Sequence, residues 1–389
     1  MSTRLAIAVG ETSGDRLAAA VVEVLRGQRP GLEFTGVTGP RLAAAGVESL
    51  ASTDELDVMG LFEVVRHVPR LAGLRRRLKR QMRARAVSAF VGFDAPDFNI
   101  GLGRGLRRAG VPAVQVVAPS VWAWRRYRVR RIARSLDMLL TLFPFEPEIF
   151  RRAGLDARCI GHPLADELPL QPDRTGARAE LGLDDGVPVA ALLPGSRPGE
   201  IARHAAVLDE AAGRLAAESG LQPLLLLSEA RHRELFAAAA GRDPAESGMR
   251  VVVGQTRTGL TAADVALAAS GTVTLEALLC KTPMTVFYRL HPATWLTARS
   301  LRLVRSRWVA LPNIIAGREI VPERIQFEAT AARLVDDVRA WLDDDARRSR
   351  FEACAAKIHV TLARNAAAGA ARHIVELLER TDHAARRRG

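Results

Sequence analysis

Leu5-Ala6-Ile7-Ala8-Val9 runs directly into Gly10-Glu11-Thr12-Ser13-Gly14-Asp15, and an apolar helical pattern then continues from about Asp15 to Arg26. A short β-rich run, a turn of small residues and a helix make the opening of a βαβ unit. The alternation repeats outward along the chain. Phe34–Val37, Phe90–Phe93, Ala113–Val117 and Met138–Leu142 read as strands, each spaced widely enough for a crossover helix. Pro, Asp and Gly then accumulate from Pro163 to Asp185, where the apolar pattern weakens. It restarts with Val187–Leu193, Leu224–Leu227, Val251–Val253, Val265–Ala268 and Met284–Phe287, and from about Ala329 it is helical only. The expected fold class is therefore α/β. It comprises two Rossmann-like domains with parallel sheets, residues 1–165 and 186–328, followed by C-terminal helices over 329–389.

Composition narrows the class further. Of 389 residues, 48% are apolar and 25% charged, which excludes a disordered or fibrous chain. The three cysteines, Cys159, Cys280 and Cys354, are too scattered for a disulfide framework or a zinc cluster and fit a reducing compartment. The apolar run Leu5–Val9 is too short for a signal-peptide core, and no run approaches the ~18 residues that span a bilayer. A cytoplasmic chain, soluble or peripheral, is expected.

The formal charge of +13 comes almost wholly from Arg, since Lys occurs only at 79, 281 and 357. Its clustering says more than its total. Between Leu61 and Arg85 nine basic residues face one acid, Glu63. Between them Leu61, Val64, Val65, Val68, Leu71, Leu74, Leu78 and Met82 recur at three- and four-residue spacing, with Pro69 expected at a first helical position. A basic amphipathic helix of this kind either packs its stripe on a sheet or lies on an anionic bilayer. Trp122 and Trp124, followed by Arg125 and Arg126, could extend such a surface or belong to the core.

Ligands of open α/β sheets sit beyond the C-terminal ends of the strands. Four such ends are rich in polar groups. In Gly10–Asp15, Ser13 or Asp15 could cap the helix, while Glu11 is an acid at the end of a buried strand. After Phe93, Asp94 is the candidate general base, and Asp97, beyond Pro96, is expected to cap the next helix. Pro194-Gly195-Ser196-Arg197 combines close backbone approach, a hydroxyl and a guanidinium fork suited to phosphate. Ser270-Gly271-Thr272 opens a helix with Glu276 one turn in, where an acid can accept ribose hydroxyls. Two such turns in one half point to a nucleoside diphosphate. His162 and His291, each before a proline, read as loop histidines, and no spacing matches a metal site.

Taken together, these segments are similar to the lipid-A-disaccharide synthase family, glycosyltransferases of the two-Rossmann GT-B type. The resemblance rests on GETSGD (10–15), GPRLAAAG (39–46), MGLFEV (59–64), FDAPDFN (93–99), PSVWAWR (119–125), PFE (144–146), GHPLAD (161–166), LLPGSR (192–197), ASGTVTLEAL (269–278), PM…Y (283–288) and PNIIAGREIVPERIQ (312–326). They stand in the family's order over about residues 5 to 330. Val9 and Phe93 depart from the usual residues without removing a reactive group.

The resemblance implies two sheets facing a cleft and an inverting transfer of 2,3-diacylglucosamine from its UDP derivative. The acceptor would be the 6-hydroxyl of 2,3-diacylglucosamine 1-phosphate. It implies Asp94 as base, with Ser196, Arg197, Ser270, Gly271 and Thr272 at the diphosphate, Glu276 at the ribose, and Asn313 and Gln326 completing the donor side. Glu11, Ser13, Asp15 and Arg125 are expected on the acceptor side. Such a displacement needs no cofactor and no obligatory metal, because Arg and helix N-termini can hold the leaving charge. Val64, Val65, Val68, Leu71, Leu74 and Leu78 are expected to touch an anionic membrane surface on the inner face of the inner membrane. Nucleic acid is not an expected partner, since stacking aromatics are missing from the pattern. The C-terminal helices could cross back to the N-terminal domain or exchange within a homodimer. The nearest rival on this scaffold is another UDP-sugar enzyme, either a 2-epimerase or a glycosyltransferase with a different lipid acceptor; an epimerase would act on a soluble nucleotide sugar and would have no use for the apolar-basic stretch.

Overall fold

The computed structural model describes residues 3–56, 64–121, 126–290 and 306–386. The chain forms two α/β units, one of Met1–Asp166 with Leu362–Gly389 and one of Glu167–Thr361.

In the first unit, strands β1 (Arg4–Val9), β2 (Glu33–Thr38), β3 (Glu48–Ser52), β4 (Ala89–Phe93), β5 (Ala113–Val116), β6 (Met138–Thr141) and β7 (Asp156–Cys159) form one sheet. Their order is β3-β2-β1-β4-β5-β6-β7, and every pairing is parallel. The crossovers carry α1 (Thr12–Gln28), α2 (Pro40–Ala44), α3 (Val64–Ala84), α4 (Pro96–Arg107), α5 (Val129–Ala133) and α6 (Glu146–Arg151). The two-residue period of a strand sends alternate side chains of β1 to opposite faces. Leu5, Ile7 and Val9 pack with Leu17, Val21 and Leu25 of α1 and with Ala370, Ile374 and Leu378 of the helix Ala366–Arg386. Ala6 and Ala8 join Leu74, Leu78 and Met82 of α3 and Leu102 and Leu106 of α4. Each fully buried Leu, Ile or Val contributes roughly 1.5–3 kcal/mol, so these two layers fix the sheet that carries the site.

The second unit holds β8 (Val189–Leu193), β9 (Gln222–Leu227), β10 (Arg250–Val253), β11 (Val265–Ala269), β12 (Met284–Tyr288) and β13 (Glu323–Ile325). All pairings are again parallel, in the order β10-β9-β8-β11-β12-β13. Helix α7 (Pro163–Glu167) lies at the division, and α8 (Arg174–Leu181), α9 (Pro198–Ser219), α10 (Arg231–Ala240), α11 (Thr256–Ala262) and α12 (Val273–Leu279) follow. The C-terminal helices are not one segment. Ala331–Leu342 belongs to the second unit, whereas Ala366–Arg386 returns to the first.

Three local expectations change. Pro69 does not open a helix, because α3 runs through it from Val64. Neither Ser13 nor Asp15 caps α1. That helix begins at Thr12, with Glu11 at the N-cap position, and puts both residues in its first turn. Asp97 likewise sits inside the first turn of α4, whose N-cap residue is Ala95, and it pairs with Arg128.

Candidate active site

In each sheet the strand order turns back on either side of one central strand, and that switch point is where an open α/β sheet receives ligands. In the first unit it lies between β1 and β4. Glu11 follows one of these strands and Asp94 the other. Asp94 and Ala95 both adopt left-handed backbone, φ 50° and 35°, which costs energy in residues with a Cβ and persists where surrounding groups enforce it. Those groups are buried amides. Asn99 Nδ2 donates to the carbonyls of Ala8, Phe93 and Asp94 at 3.0–3.2 Å, and Gln115 Nε2 donates to the Asp94 carbonyl at 2.9 Å. The turn is thereby pinned to the ends of its own and the neighbouring strand. Ser13 Oγ donates to Asp94 Oδ2 at 3.1 Å. Burial, helped by the charge of Glu11, pushes the Asp94 carboxyl up to about 6, against the smaller opposing effect of Ser13. A carboxylate with that value is ionised at neutral pH and is a stronger base than an ordinary one.

Asp15, expected on the acceptor side, spends its carboxylate inside the protein. It is buried, and both oxygens are spent on the start of α2: Oδ1 accepts from Gly39 at 3.2 Å and Leu42 at 3.1 Å, and Oδ2 from Arg41 at 2.8 Å. A Cβ on Gly39 would come within 2.4 Å of this carboxyl. The GETSGD and GPRLAAAG segments are thus one packing unit.

In the second unit the switch point lies between β8 and β11. A cavity of about 690 Å³ opens there, lined by Ser196, Arg197, Ser270, Gly271, Thr272 and Glu276 among others. The two expected turns therefore meet in one place. The Arg197 side chain is 82% exposed, yet its Nη1 is held 3.1 Å from Glu200 Oε1. Tyr288 donates to the same oxygen at 3.0 Å, and burial, helped by the Glu200 charge and this contact, raises its phenol above the usual range. His204 braces the Pro194–Arg197 turn from below. Its Nδ1 lies 2.7 Å from the Pro194 carbonyl, and its Nε2 accepts from the Arg289 N–H at 3.0 Å, so the ring is neutral with its proton on Nδ1. Burial lowers its tendency to protonate. Ser270 Oγ donates to the Val309 carbonyl at 3.0 Å and ties residues 306–310 to the cavity.

The same cavity is lined by Ser228 and by Gly254-Gln255-Thr256-Arg257-Thr258, which the sequence reading did not single out. The signal was available, because the latter stretch follows a recognised strand, Val251–Val253, and carries two hydroxyls and a guanidinium. Arg257 Nε stands 4.0 Å from Glu276 and Nη1 3.0 Å from Glu167.

Asn313 and Gln326 do not line this cavity, and their amides are engaged elsewhere. Asn313 is fully buried. It donates to the Val321 carbonyl and Glu323 at 2.9 Å, and accepts from Ile320 at 2.7 Å and Val321 at 3.0 Å, so a donor sugar finds no valence left on it. Gln326 Oε1 accepts from Leu290 at 2.6 Å and fixes the exit of β12. In this arrangement both side chains hold the scaffold around the donor unit. Leu74 and Leu78 are corrected. They lie in the core between α3 and the sheet and cannot meet a bilayer, whereas Leu71 is half-buried at the edge of that cluster. Arg125, Trp122, Trp124 and His291, like the side chains of Val64, Val65 and Val68, lie outside the described residues. His162 is buried against Phe143, accepts from the Leu164 N–H at 3.2 Å, and is pushed down to about 4 by burial and the Arg16 charge. Among the described residues, no cluster of His, Cys, Asp and Glu could hold a metal ion, and no helix is long and apolar enough to cross a membrane.

Comparison with known proteins separates fold from family. A glycosyltransferase from Rickettsia africae matches with a TM-score of 0.58 at 11% identity, over 97% of this chain and 98% of that one. A UDP-GlcNAc 2-epimerase from Neisseria meningitidis, bound to UDP-GlcNAc, matches with a TM-score of 0.64 at 10% identity, over 97% and 100%. At such identities only the architecture is shared, two parallel sheets with alternating helices as in GT-B enzymes. Sequence decides the rest. A lipid-A-disaccharide synthase from Azotobacter vinelandii is 43% identical over 379 residues, 97% of this chain and 98% of its own. The family model described as lipid-A-disaccharide synthetase matches residues 5–374, and the chain therefore belongs to the lipid-A-disaccharide synthase family of glycosyltransferases.

Proposed function

We propose that this enzyme transfers 2,3-diacylglucosamine from UDP-2,3-diacylglucosamine to the 6-hydroxyl of 2,3-diacylglucosamine 1-phosphate, with inversion. The observation that carries the reading is Asp94: a carboxylate in enforced left-handed backbone at a switch point, raised to about 6. In this mechanism Asp94 takes the proton of the 6-hydroxyl as its oxygen attacks the anomeric carbon. The bond from that carbon to the diphosphate oxygen breaks, and UDP leaves with the electron pair. Arg197, Ser196 and the amides at Gly271 and Thr272 stabilise the departing diphosphate, and Glu276 accepts the ribose hydroxyls. Glu11 has an electrostatic role, keeping Asp94 basic, while Ser13 orients it. A single displacement needs no covalent nucleophile.

Both sugars carry acyl chains, so a membrane surface is the natural source of each. The basic face of α3, where Arg76, Lys79, Arg80 and Arg83 stand together, supports a peripheral position on anionic lipid at the inner face of the inner membrane. Val64, Val65, Val68 and Leu71 are the apolar residues assigned to that contact.

The test is a radiolabel assay with purified protein, UDP-2,3-diacylglucosamine and EDTA, with and without 2,3-diacylglucosamine 1-phosphate. A disaccharide is expected only when both substrates are present. UDP release without disaccharide would overturn the acceptor, and epimerisation of the donor sugar would overturn the reaction.

A further inference from the structure

Beside the Asp94 turn, on the face of the first unit covered by α3, α4 and α5, lies a second and smaller cavity of about 120 Å³. Four guanidinium groups line it, those of Arg75, Arg104, Arg128 and Arg131, together with Pro96 and Asp97. Asp97 is the one carboxylate among the described lining residues, and it pairs with Arg128. Three positive charges are left without a counter-charge in the lining.

Arg75 is not an ordinary surface arginine. Its Nη2 donates to the Asp97 carbonyl at 2.9 Å, and its guanidinium carbon sits 5.1 Å from the centre of the Phe98 ring. Its Nε is buried and has no hydrogen-bond partner among the described residues. Burial holds it below its usual basicity, opposed by the Asp97 charge and reinforced by that of Arg131. The side chains of Arg104 and Arg131 make no hydrogen bond or ion pair among the described residues. Arginine is abundant in this chain, and most copies are solvated and need no ligand. A half-buried guanidinium with a dry, unpaired N–H, facing three more of its kind, is costly unless an anion completes it.

The cavity is too small for a nucleotide or a sugar, and planar forks suit a compact oxyanion. Its lining begins at Pro96, two residues beyond Asp94. We propose that this four-arginine pocket binds a terminal phosphate monoester, the 1-phosphate of the acceptor whose 6-hydroxyl is presented to Asp94. The assignment rests on the reaction proposed above. Phospholipid phosphates of the bilayer offer the same oxygens, but most are diesters flanked on both sides, and a cavity of this size favours a terminal group.

The experiment compares wild type with R104A/R131A, whose side chains make no hydrogen bond or ion pair among the described residues. Both are assayed in detergent micelles with the 1-phosphate acceptor and with the same acylated sugar lacking the phosphate. Thermal unfolding and binding to anionic vesicles are measured alongside. The expected result is a rise in acceptor KM of about 10- to 100-fold, the loss of one or two charge-assisted contacts. Donor KM, melting temperature and vesicle binding should hold, and the two proteins should converge on the phosphate-free acceptor. An unchanged acceptor KM, or an equal penalty on the phosphate-free sugar, overturns the proposal. Loss of vesicle binding with normal micellar KM assigns the pocket to membrane lipid instead and also overturns it. Absence of disaccharide from wild type, by contrast, is failure of the reaction itself.

Discussion

Gly14 leaves the space that Asp94 occupies: a Cβ at residue 14 would stand 2.4 Å from Asp94 Oδ2. The first turn of α1 and the turn after β4 are thereby fitted to each other, with Ser13 donating to the same oxygen. Gly14→Ala should displace the carboxylate without disturbing the sheet beneath it. A kcat loss of about 100-fold is expected, as for a misplaced catalytic group, with donor KM near normal. The acid limb of the kcat/KM profile should also move, a readout that a merely loosened fold would not give.

Asp94 carries an opposite effect on stability. Its carboxyl is raised from an ordinary value near 3.8 to about 6, so the folded state binds the proton more tightly than the unfolded chain. Stability is then lost as pH rises through that window and stays lost above it. Asp94→Asn should unfold at higher temperature than wild type at pH 8, by on the order of 2–3 kcal/mol, and the gap should close by about pH 4. Turnover should fall by orders of magnitude while UDP binding persists. In wild type, kcat/KM should fall below about pH 6. Near-normal turnover of the Asn variant would remove Asp94 from the mechanism.

The residues carrying the site were legible in the sequence because each follows a strongly apolar strand. Asp94 follows Ala89–Phe93, Arg197 follows Val189–Leu193, and Ser270 follows Val265–Ala269, all fully buried runs. The strands that escaped were Glu48–Ser52, Asp156–Cys159 and Glu323–Ile325, each an edge of its sheet. In these three, polar residues break the apolar run (Glu48, Ser49 and Ser52; Asp156 and Arg158; Glu323 and Arg324), as the half-wet face of an edge allows, whereas the fourth edge, Arg250–Val253, keeps Val251–Val253 and was read. The packing roles of Asp15 and Asn313 were illegible for a related reason. A polar residue saturated by backbone groups distant in sequence looks, in the chain alone, the same as one awaiting a ligand. The return of Ala366–Arg386 to the first unit was one of the two arrangements expected, and the chain alone did not choose between them, since an amphipathic pattern states that a face is buried but not against what.

His204 tests how the donor cavity is held. His204→Ala would strip the Pro194 carbonyl and the Arg289 N–H of their partner, at a cost of roughly 2–4 kcal/mol for two buried groups. The turn presenting Arg197 should loosen, and UDP should bind about tenfold more weakly by calorimetry, with Asp94-dependent pH behaviour unchanged. An unaltered UDP affinity would show that the turn holds its shape without the ring.

Acid should weaken the fold through its depressed histidines, and His162 is the clearest test. His162, pushed down to about 4, stays neutral in the folded state while its unfolded counterpart takes a proton below about 6.5. Stability from this residue is full above that pH and falls between 6.5 and 4, opposite in sign to the effect of Asp94. His162→Gln should flatten that part of the stability curve measured by urea unfolding, and an unchanged slope would show that His162 is already solvated.

Helix α3 presents two apolar sets that a single mutagenesis series can separate. Leu78 and Met82 are fully buried among Ala6, Ala8, Phe90 and Leu102, so a polar residue there strikes the core. Leu78→Ser should cost on the order of 3–5 kcal/mol, from the lost side chain, the cavity and a buried hydroxyl together, and should lower melting temperature first. The quadruple replacement of Val64, Val65, Val68 and Leu71 by Ser should instead reduce partition onto anionic vesicles. Raising salt should weaken the remaining binding, because Arg76, Lys79, Arg80 and Arg83 act on lipid phosphates through a screened field. Vesicle binding that survives the four replacements, or that ignores salt, would take the membrane contact away from this helix.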